Sequence, residues 1–221
     1  MKHAWKPGDP IKCPEGSFVE IDPQTNSRAD VYKFLVQSVT PRPIAFVSTV
    51  NQAGEVNLAP FSFFNAVASA PPTLMLAISR KRNGEHKDTL RNIEETKEFV
   101  VNSANLWLLE ALVHCAAEYP YGVNEMQKVG LTPIASRKVK VPRVKESALQ
   151  FECRLSHQHT IGEDPATSTT VIFGTVLHIH VLDAVMNNGH ISPELFQTVG
   201  RLGGISYTKL GEIIDIPIPR V

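Results

Sequence analysis

The sequence predicts a mainly β fold, in which six or seven strands form a barrel and helices are inserted between them. Two observations carry this prediction. The first is a series of short apolar runs separated by Pro, Gly and Asn. The second is a pair of long β-type runs, at 149–161 and 169–183, joined by the turn-forming sequence GEDPATS. The helical patterns are short and lie between these runs, so the helices are excursions from a barrel.

The first part of the chain predicts an arm, a helix and three strands. Residues 1–27 are rich in Pro, Gly and Asp and have little periodicity, so we expect an extended arm beside a domain at 28–221. A helix is expected over 30–39, with Asp30 as its N-cap. PRPIAFVSTV and EVNLAPFSFFN follow as two strands joined by the turn NQAG, and TLMLAIS predicts a buried strand.

The second part of the chain predicts three helices and three strands. In TLRNIEETKEF, Leu90, Ile93 and the aliphatic stem of Lys97 share one helical face. FVVNS is a short strand, NLWLLEALVHCAAEY an amphipathic helix and NEMQKVG a shorter helix. The two long strands come next, and no linker divides residues 28–221. We therefore expect one domain after the arm.

Composition and charge exclude several classes of protein. The chain has 221 residues, 43% hydrophobic and 20% charged, which is enough to bury a sizeable core. Its 22 Lys and Arg balance its 22 Asp and Glu, so no general field attracts a polyanion and no nucleic-acid partner is expected. No signal peptide or membrane span is visible, and the three cysteines form no CxxC pair. We expect a cytoplasmic protein without a membrane partner.

The histidines leave a metal site as an alternative. His157 and His159 alternate along one predicted strand, and His178 and His180 along the next, so four imidazoles meet if the strands pair in a suitable register. No Asp, Glu or Cys stands at a convincing ligand spacing, and we expect no metal site. A haem- or metal-binding barrel is kept as an alternative class. The fingerprints GxSxG, HExxH, Walker A and GxGxxG after a strand do not occur.

Residues 57–72, NLAPFSFFNAVASAPP, combine small polar side chains with aromatic ones after an alanine-proline bend. Such a stretch exposes backbone donors and acceptors beside a flat apolar surface. A planar heterocycle with a polar edge needs this combination. The other interpretation is an irregular edge strand.

Residues 79–93, SRKRNGEHKDTLRNI, form a basic loop directly before a predicted helix. The cations surround a flexible glycine and are Arg80, Lys81, Arg82 and Lys87 around Gly84. Cationic side chains at a helix N-terminus make an anion site, and phosphate is the obvious anion. The alternative is a solvated basic loop.

Four motifs in order resemble the flavin reductase-like family of FMN-binding split-barrel proteins. They are PRPIAFVST at 41–49, NLAPFSFFN at 57–65, HKDTLRNI at 86–93 and GRLGG at 200–204. The resemblance runs from about residue 28 to 210 and leaves out the arm. It implies a six-stranded antiparallel Greek-key split β-barrel, working as a homodimer with FMN near the subunit interface.

The resemblance also implies which residues bind FMN. Those near the ribityl phosphate or the ring edge are Ser48 and Thr49. Those lining the isoalloxazine are Ala59, Ser62, Phe63 and Asn65. Those holding the phosphate are Ser79, Arg80, Lys87 and Thr89, with Arg42 as a weaker match. Those bordering the pocket, from the same chain or the partner chain, are Arg201, Gly203, Gly204 and Tyr207.

The function implied by the resemblance is that of an NAD(P)H-dependent flavin reductase. NADH or NADPH is then a transient co-substrate that passes hydride from nicotinamide C4 to flavin N5. Hydride transfer requires no protein acid or base, so no catalytic residue is assigned, and His190 and Tyr207 are candidates only for shaping access. The electrons go on to a flavin-dependent oxygenase or another acceptor. The alternative is a non-catalytic or electron-carrying FMN protein that does not oxidise NAD(P)H.

Overall fold

The computed structural model describes residues 6–219, and its centre is a large antiparallel β-sheet. The strands of the described chain are, in order, β1 (Ala45–Val50), β2 (Val56–Phe61), β3 (Phe64–Ser69), β4 (Pro72–Ser79), β5 (Glu98–Ser103), β6 (Pro133–Ile134), β7 (Arg143–Val144), β8 (Leu149–Ile161), β9 (Thr169–Val181), β10 (Met186–Asn187), β11 (His190–Ile191), β12 (Val199–Arg201) and β13 (Tyr207–Lys209). Seven of them form the large sheet, in the order β2-β1-β5-β8-β9-β4-β3, and the others make three small two-stranded sheets. The predicted mainly β fold with inserted helices is confirmed.

The helices of the described chain are short and lie between the strands. They are α1 (Arg28–Ser38), α2 (Asp88–Thr96), α3 (Leu109–His114), α4 (Glu125–Lys128) and α5 (Pro193–Phe196), with 3₁₀ turns at Leu106–Leu108 and Asp183–Val185. None of the helices within residues 6–219 has the length and apolar character needed to cross a membrane.

A sharp corner between β2 and β3 curls the sheet into a split barrel. The sequence predicts one strand over EVNLAPFSFFN, residues 55–65, and this prediction is wrong, because the strand breaks at Ser62 and Phe63. β2 and β3 lie at opposite edges of the sheet although only these two residues join them, so the sheet must curve until its edges meet. The register of the described strands includes no ladder between β2 and β3, which leaves the barrel split.

The barrel interior is filled by the inward side chains of its strands. Buried and less buried residues alternate along β4 and β9, as expected for strands with one core face. Gly174 on β9 is required by packing, since a Cβ there would lie 2.3 Å from Cζ of Phe99. Phe99 itself is fully buried, so the aromatic ring takes the space of the missing side chain.

Several predicted helix boundaries are corrected. The N-cap of α1 is Ser27 rather than Asp30, because the Ser27 hydroxyl accepts a hydrogen bond from the Asp30 amide at 3.1 Å. α2 buries Leu90 and Ile93 as predicted, but Lys97 has a φ of 63°, ends the helix and does not share that face. The helix expected at 105–119 is reduced to a 3₁₀ turn followed by α3.

The described part of the arm, residues 6–27, contains turns but no helix or strand. Residues 1–5 of the predicted arm lie outside the described residues. Ile11, Phe18 and Val19 are all more than three-quarters exposed. Residues 6–27 therefore add no side chain to the barrel core, and the boundary of the arm at residue 27 stays a prediction.

Candidate functional site

A cleft of about 900 Å³ opens beside the β2–β3 corner, and we call it the basic cleft. Its walls come from the first turns of α1, the corner itself, the loop from Ser79 to Lys87 and the turn between β8 and β9. The loop from β4 to α2 is tight, since the Gly84 amide donates to the Lys81 carbonyl at 2.9 Å. Gly84 has a φ of +85°, and a Cβ there would lie 3.0 Å from Cβ of Ala166. Glycine therefore lets the two loops approach closely.

Arg80 and Lys87 of the basic cleft lack a carboxylate partner within the described chain, as does Arg28 at its edge. Arg80 donates from Nε to the Ser168 hydroxyl at 3.0 Å, while its Nη1 is buried and has no hydrogen-bond partner. Lys87 forms no ion pair with any described residue. Lys81, in contrast, is paired with Asp88 at 2.5 Å. Positive charge is thus available at Arg80 and Lys87 and neutralised at Lys81.

The N-terminus of α2 adds to this positive environment. Lys87 is the N-cap residue of the nine-residue helix, and its side chain does not accept a hydrogen bond from the first turn. Amides of the first helical turn have no intrahelical acceptor, and the helix dipole favours a negative group there. Together with the unpartnered Arg80 Nη1, these groups fit a phosphate.

Aromatic side chains form another wall of the basic cleft. Phe63 is 40% exposed and Tyr32 of α1 is 60% exposed, so both offer apolar surface to a ligand. Ser62 stands beside Phe63 at the corner. The cleft therefore joins an anion-binding end to an aromatic surface, as a phosphorylated planar heterocycle requires.

The structure brings five of the predicted site residues together in the basic cleft: Ser62, Phe63, Ser79, Arg80 and Lys87. Sequence reasoning missed Arg28 and Tyr32 of α1 and Thr167 of the β8–β9 turn. Arg28 donates to the Thr167 carbonyl at 3.0 Å, a contact between residues 139 positions apart. A helix facing solvent carries no local signal of such a contact. The aromatic residue at Tyr32, in a predicted helix, was the signal that the sequence offered.

Thr49 and Thr89 lie beneath the cleft in a buried polar network. Asn57 donates to the Thr49 hydroxyl at 3.2 Å and to the Thr89 hydroxyl at 2.9 Å, and Asn92 donates to Thr49 at 3.0 Å. Thr49 is fully buried and Thr89 is 1% exposed. The structure therefore keeps both hydroxyls inside the protein, where they attach α2 to the sheet.

Ser48, Ala59 and Asn65 are also apart from the basic cleft. Ser48 is fully buried and donates to the Pro142 carbonyl at 2.7 Å. Ala59 is packed against the barrel core. Asn65 is exposed on β3, where its side-chain oxygen accepts from the Ala66 amide at 2.9 Å. The strand pattern predicts these positions along the chain but not the direction in which they point.

Arg42 connects three segments through its hydrogen bonds, so its side chain has little freedom to bind a ligand. Its Nη1 donates to the carbonyls of Val36 and Val39 at the end of α1, and its Nη2 donates to the Leu202 carbonyl at 3.1 Å. Its Nε reaches the Ser62 hydroxyl at 3.4 Å. Burial lowers the pKa of Arg42, but the ordinary value is so high that the guanidinium stays charged at neutral pH.

The glycine-rich segment at the end of β12 lies outside the basic cleft. The Arg201 guanidinium lies 4.4 Å from the centroid of the Tyr207 ring and donates to the Gly204 carbonyl. A Cβ on Gly203 would lie 2.6 Å from Cγ of Gln37, so glycine is required where this segment touches α1. In the single chain, none of Arg201, Gly203, Gly204 and Tyr207 lines the basic cleft. His190, on β11, does not line it either.

A second cleft, of about 600 Å³, lies on the other side of the corner, and we call it the apolar cleft. Phe64 lines it, whereas the preceding Phe63 lines the basic cleft. Its other apolar side chains come from several strands and include Ile44, Val101, Leu149 and Phe151. The charged residues in its lining are Arg42, which is already hydrogen-bonded, and Lys209.

The four alternating histidines are not brought together. His157 faces Phe173 in the β8–β9 register, whereas His178 faces Glu152, so the two pairs lie at different levels of the hairpin. Within residues 6–219, no group of three or more metal-ligating side chains is clustered. His180 instead contacts the buried Glu152 at 2.6 Å. The hypothesis that four imidazoles cluster is therefore wrong.

Comparison with known proteins adds independent findings. Residues 37–198 match the model of the flavin reductase like domain. An uncharacterized protein of Aquifex aeolicus is 42% identical over 180 residues, covering 81% of this chain and 89% of that protein. Nitrilotriacetate monooxygenase component B from Bacillus cereus superposes with a TM-score of 0.87 at 36% identity, covering 91% of this chain and 100% of that one. The 2-nitrobenzoate 2-nitroreductase of Pseudomonas fluorescens superposes with a TM-score of 0.80 at 29% identity, covering 91% and 96%.

Proposed function

The chain belongs to the flavin reductase-like family, and from that premise we propose that it binds FMN in the basic cleft and acts as an NAD(P)H-dependent flavin reductase. The observation that carries the proposal is the buried, unpartnered Nη1 of Arg80 beside the unpaired Lys87. A buried polar nitrogen without an acceptor is costly, and a ligand phosphate removes that cost.

The size and charge of the cleft support FMN as its ligand. The volume of about 900 Å³ is within the range of small-molecule and cofactor sites. Arg80 and Lys87 would hold the phosphate together with the first amides of α2. Phe63 and Tyr32 would offer their rings to the heterocycle. Arg42 is not assigned to the phosphate, because its donors are already used.

Bound FMN supplies the acceptor for a hydride at N5, and the chain supplies binding and orientation. Arg80 is itself held by Ser168, so it would connect the phosphate of a bound ligand to the β8–β9 turn. No residue is assigned to proton transfer. Since the chain lacks a dinucleotide-binding fingerprint, we propose that NADH or NADPH binds transiently over the exposed side of the cleft.

The proposal extends to partners, domain limits and compartment. One relative is named as a component of a monooxygenase, which supports transfer of reduced flavin to an oxygenase or another acceptor. We also propose a homodimer, a flavin-binding domain at 28–221 after the arm, and a cytoplasmic location. The three cysteines are all free, in keeping with a reducing compartment.

The visible spectrum of the purified protein tests this function. We would add FMN, remove the excess, and record spectra before and after anaerobic addition of NADH or NADPH. Retained flavin bands that bleach are expected, and the more effective nucleotide is then the preferred reductant. Bands that persist with both nucleotides would replace the reductase with an electron-carrying FMN protein. If no flavin is retained, titration of FMN fluorescence decides, and absence of binding overturns the proposal.

A further inference from the structure

The described C-terminal tail carries an apolar face that nothing in the single chain covers. Residues 211–219 contain no helix or strand. Ile214, Ile216 and Ile218 are 67%, 66% and 91% exposed. If the segment adopts a β conformation, this spacing places the three isoleucines on one side and Asp215 and Pro217 on the other. Such alternation is typical of a strand with one buried face.

The prolines restrict how this tail can be buried. Pro217 and Pro219 have no amide hydrogen, so the segment cannot form a continuous ladder as a central strand. It is suited to docking by its side chains. The surface that receives it must therefore be apolar and concave rather than an open strand edge.

The apolar cleft has these properties and lies at the root of the tail. Leu210 and Gly211, where the tail begins, are part of the cleft wall. The tail of the same chain turns away from it, because Ile213 lies in a neighbouring groove of about 290 Å³. Phe64 and Phe151 thus line a cleft that the chain's own isoleucines leave uncovered.

We propose that the apolar cleft is an interface that receives the isoleucine face of the tail from a second copy of the chain, in a twofold exchange. In a twofold dimer whose clefts face each other, a tail rooted at one cleft starts close to the other. The step from Gly211 to Ile214–Ile218 is three to seven residues, or roughly 10–25 Å when extended. The proposal rests on the homodimer of the proposed function and is independent of FMN binding.

The first experiment removes the apolar face of the tail in the full-length protein. The variant Ile214→Ser/Ile216→Ser/Ile218→Ser should raise the dimer dissociation constant by at least roughly 100-fold, because three buried side chains are lost at each of two sites. The control variant Asp215→Ser/Pro217→Ser changes the opposite side and should dimerise like the wild type. Sedimentation equilibrium gives the constants, and far-ultraviolet circular dichroism verifies folding. An unchanged constant in the triple variant, or a wild type that stays monomeric at high concentration, overturns the proposal.

The second experiment asks whose cleft receives the tail. Cys13→Ser leaves only Cys115 and Cys153, which are 2% and 0% exposed. In this background, chains with Ile216→Cys are mixed with chains carrying Thr208→Cys, whose side chain lies in the cleft wall. Mild oxidation should give a disulfide-linked pair of the two different chains. Failure to cross-link in a mixture that still dimerises overturns the proposal, as does a link that forms only when one chain carries both substitutions.

These outcomes are separable from those of the flavin experiment. A protein that binds no FMN but loses dimerisation in the triple variant would keep the interface and lose the proposed function. A protein that binds and bleaches FMN with unchanged dimerisation in the triple variant would keep the function and lose the interface.

Discussion

The basic cleft and the apolar cleft differ in chemistry although consecutive residues line them. Phe63 and Phe64 point to opposite sides of the β2–β3 corner, one into each cleft. The basic cleft adds Arg80 and Lys87 to its aromatic wall, and the apolar cleft adds aliphatic and aromatic side chains. A strand that breaks at a corner thus places cations beside an aromatic wall on one side, where we propose an anionic ligand, and an apolar surface on the other.

The two clefts differ in hydrogen bonding as well as in charge. Among residues 6–219, Arg80 Nη1 is the buried side-chain nitrogen that lacks a partner, and it belongs to the basic cleft. In the apolar cleft, the donors of Arg42 are occupied by carbonyls. A cleft with an unsatisfied donor gains most from a ligand that accepts hydrogen bonds, whereas a satisfied one gains from burial of apolar surface.

The largest effect should come from removing Arg80 and Lys87, the two cations of the basic cleft that we assign to the phosphate. Arg80→Ala/Lys87→Ala should weaken FMN binding by at least roughly 100-fold, because each lost charge-assisted hydrogen bond is worth about 1.5–3 kcal/mol. Quenching of FMN fluorescence measures the affinity. Thermal unfolding without FMN should change little, since neither side chain belongs to the barrel core.

A control variant that loses the same charge elsewhere tests whether the weaker FMN binding is specific to Arg80 and Lys87. Lys128→Ala/Lys145→Ala removes two exposed cations outside both clefts and should leave FMN affinity unchanged. Equal FMN affinities in the two double variants would show that the phosphate does not lie at Arg80 and Lys87, and would break the contrast between the clefts.

The sequence predicts the strands and the basic loop because their signals are local. Alternation of apolar and polar residues along 149–156 is visible in the sequence itself, and a cluster of cations before a helix needs no long-range contact. The direction of side chains at strand and helix ends is not local. Thr89 follows the cations in sequence, yet it turns inward because Asn57, 32 positions away, offers it a buried hydrogen bond.

The apolar cleft escaped prediction for a related reason. Its walls combine segments around Pro43, Phe64, Val101, Phe151 and Gly200, and no single segment is unusual for a β-rich chain. The cleft exists only because the chain breaks at Ser62 and Phe63 and the sheet curls around that break. A run such as EVNLAPFSFFN reads as one strand when the corner cannot be seen.

Arg42 stabilises the wall between the two clefts through its hydrogen bonds. Replacing Arg42 should have the second-largest effect. Arg42→Ala leaves carbonyls of Val36, Val39 and Leu202 without their donor, so we expect the free energy of unfolding to fall by about 2–4 kcal/mol. Urea unfolding measures this loss. Arg42→Lys keeps the charge without the planar fork and should recover only part of it. If the free energy of unfolding fell by less than about 0.5 kcal/mol in the alanine variant, Arg42 would not stabilise the protein by connecting these segments.

The smallest effect concerns Glu125, a buried carboxyl whose pKa is influenced by Asp88 and Lys81, the ion pair at the edge of the basic cleft. It is 5% exposed and accepts a hydrogen bond from the Leu58 amide at 2.9 Å. Burial raises its pKa, the charge of Asp88 adds to the rise, and the hydrogen bond from Leu58 opposes it. The folded state therefore holds the proton to higher pH than the unfolded chain does.

The sign of the resulting pH dependence follows from this difference. Between the ordinary pKa of a glutamate, about 4.3, and the raised value, the folded protein binds more protons, so the Glu125 contribution to the free energy of unfolding falls as pH rises. The slope is at most about 1.4 kcal/mol per pH unit. Glu125→Gln keeps an acceptor for Leu58 and should lose this slope in urea unfolding measured from pH 4 to pH 8.

A second carboxyl provides the opposite case. Burial of Glu152 would raise its pKa, but hydrogen bonds from the Arg137 amide, His180 and the Lys138 amide outweigh burial and lower it. Its stabilising contribution is therefore lost as pH falls, and Glu152→Gln should flatten the acid side of the curve. Identical pH profiles for wild type and Glu125→Gln would mean that the Glu125 carboxyl is ionised without penalty, and that its surroundings are more polar than its burial indicates.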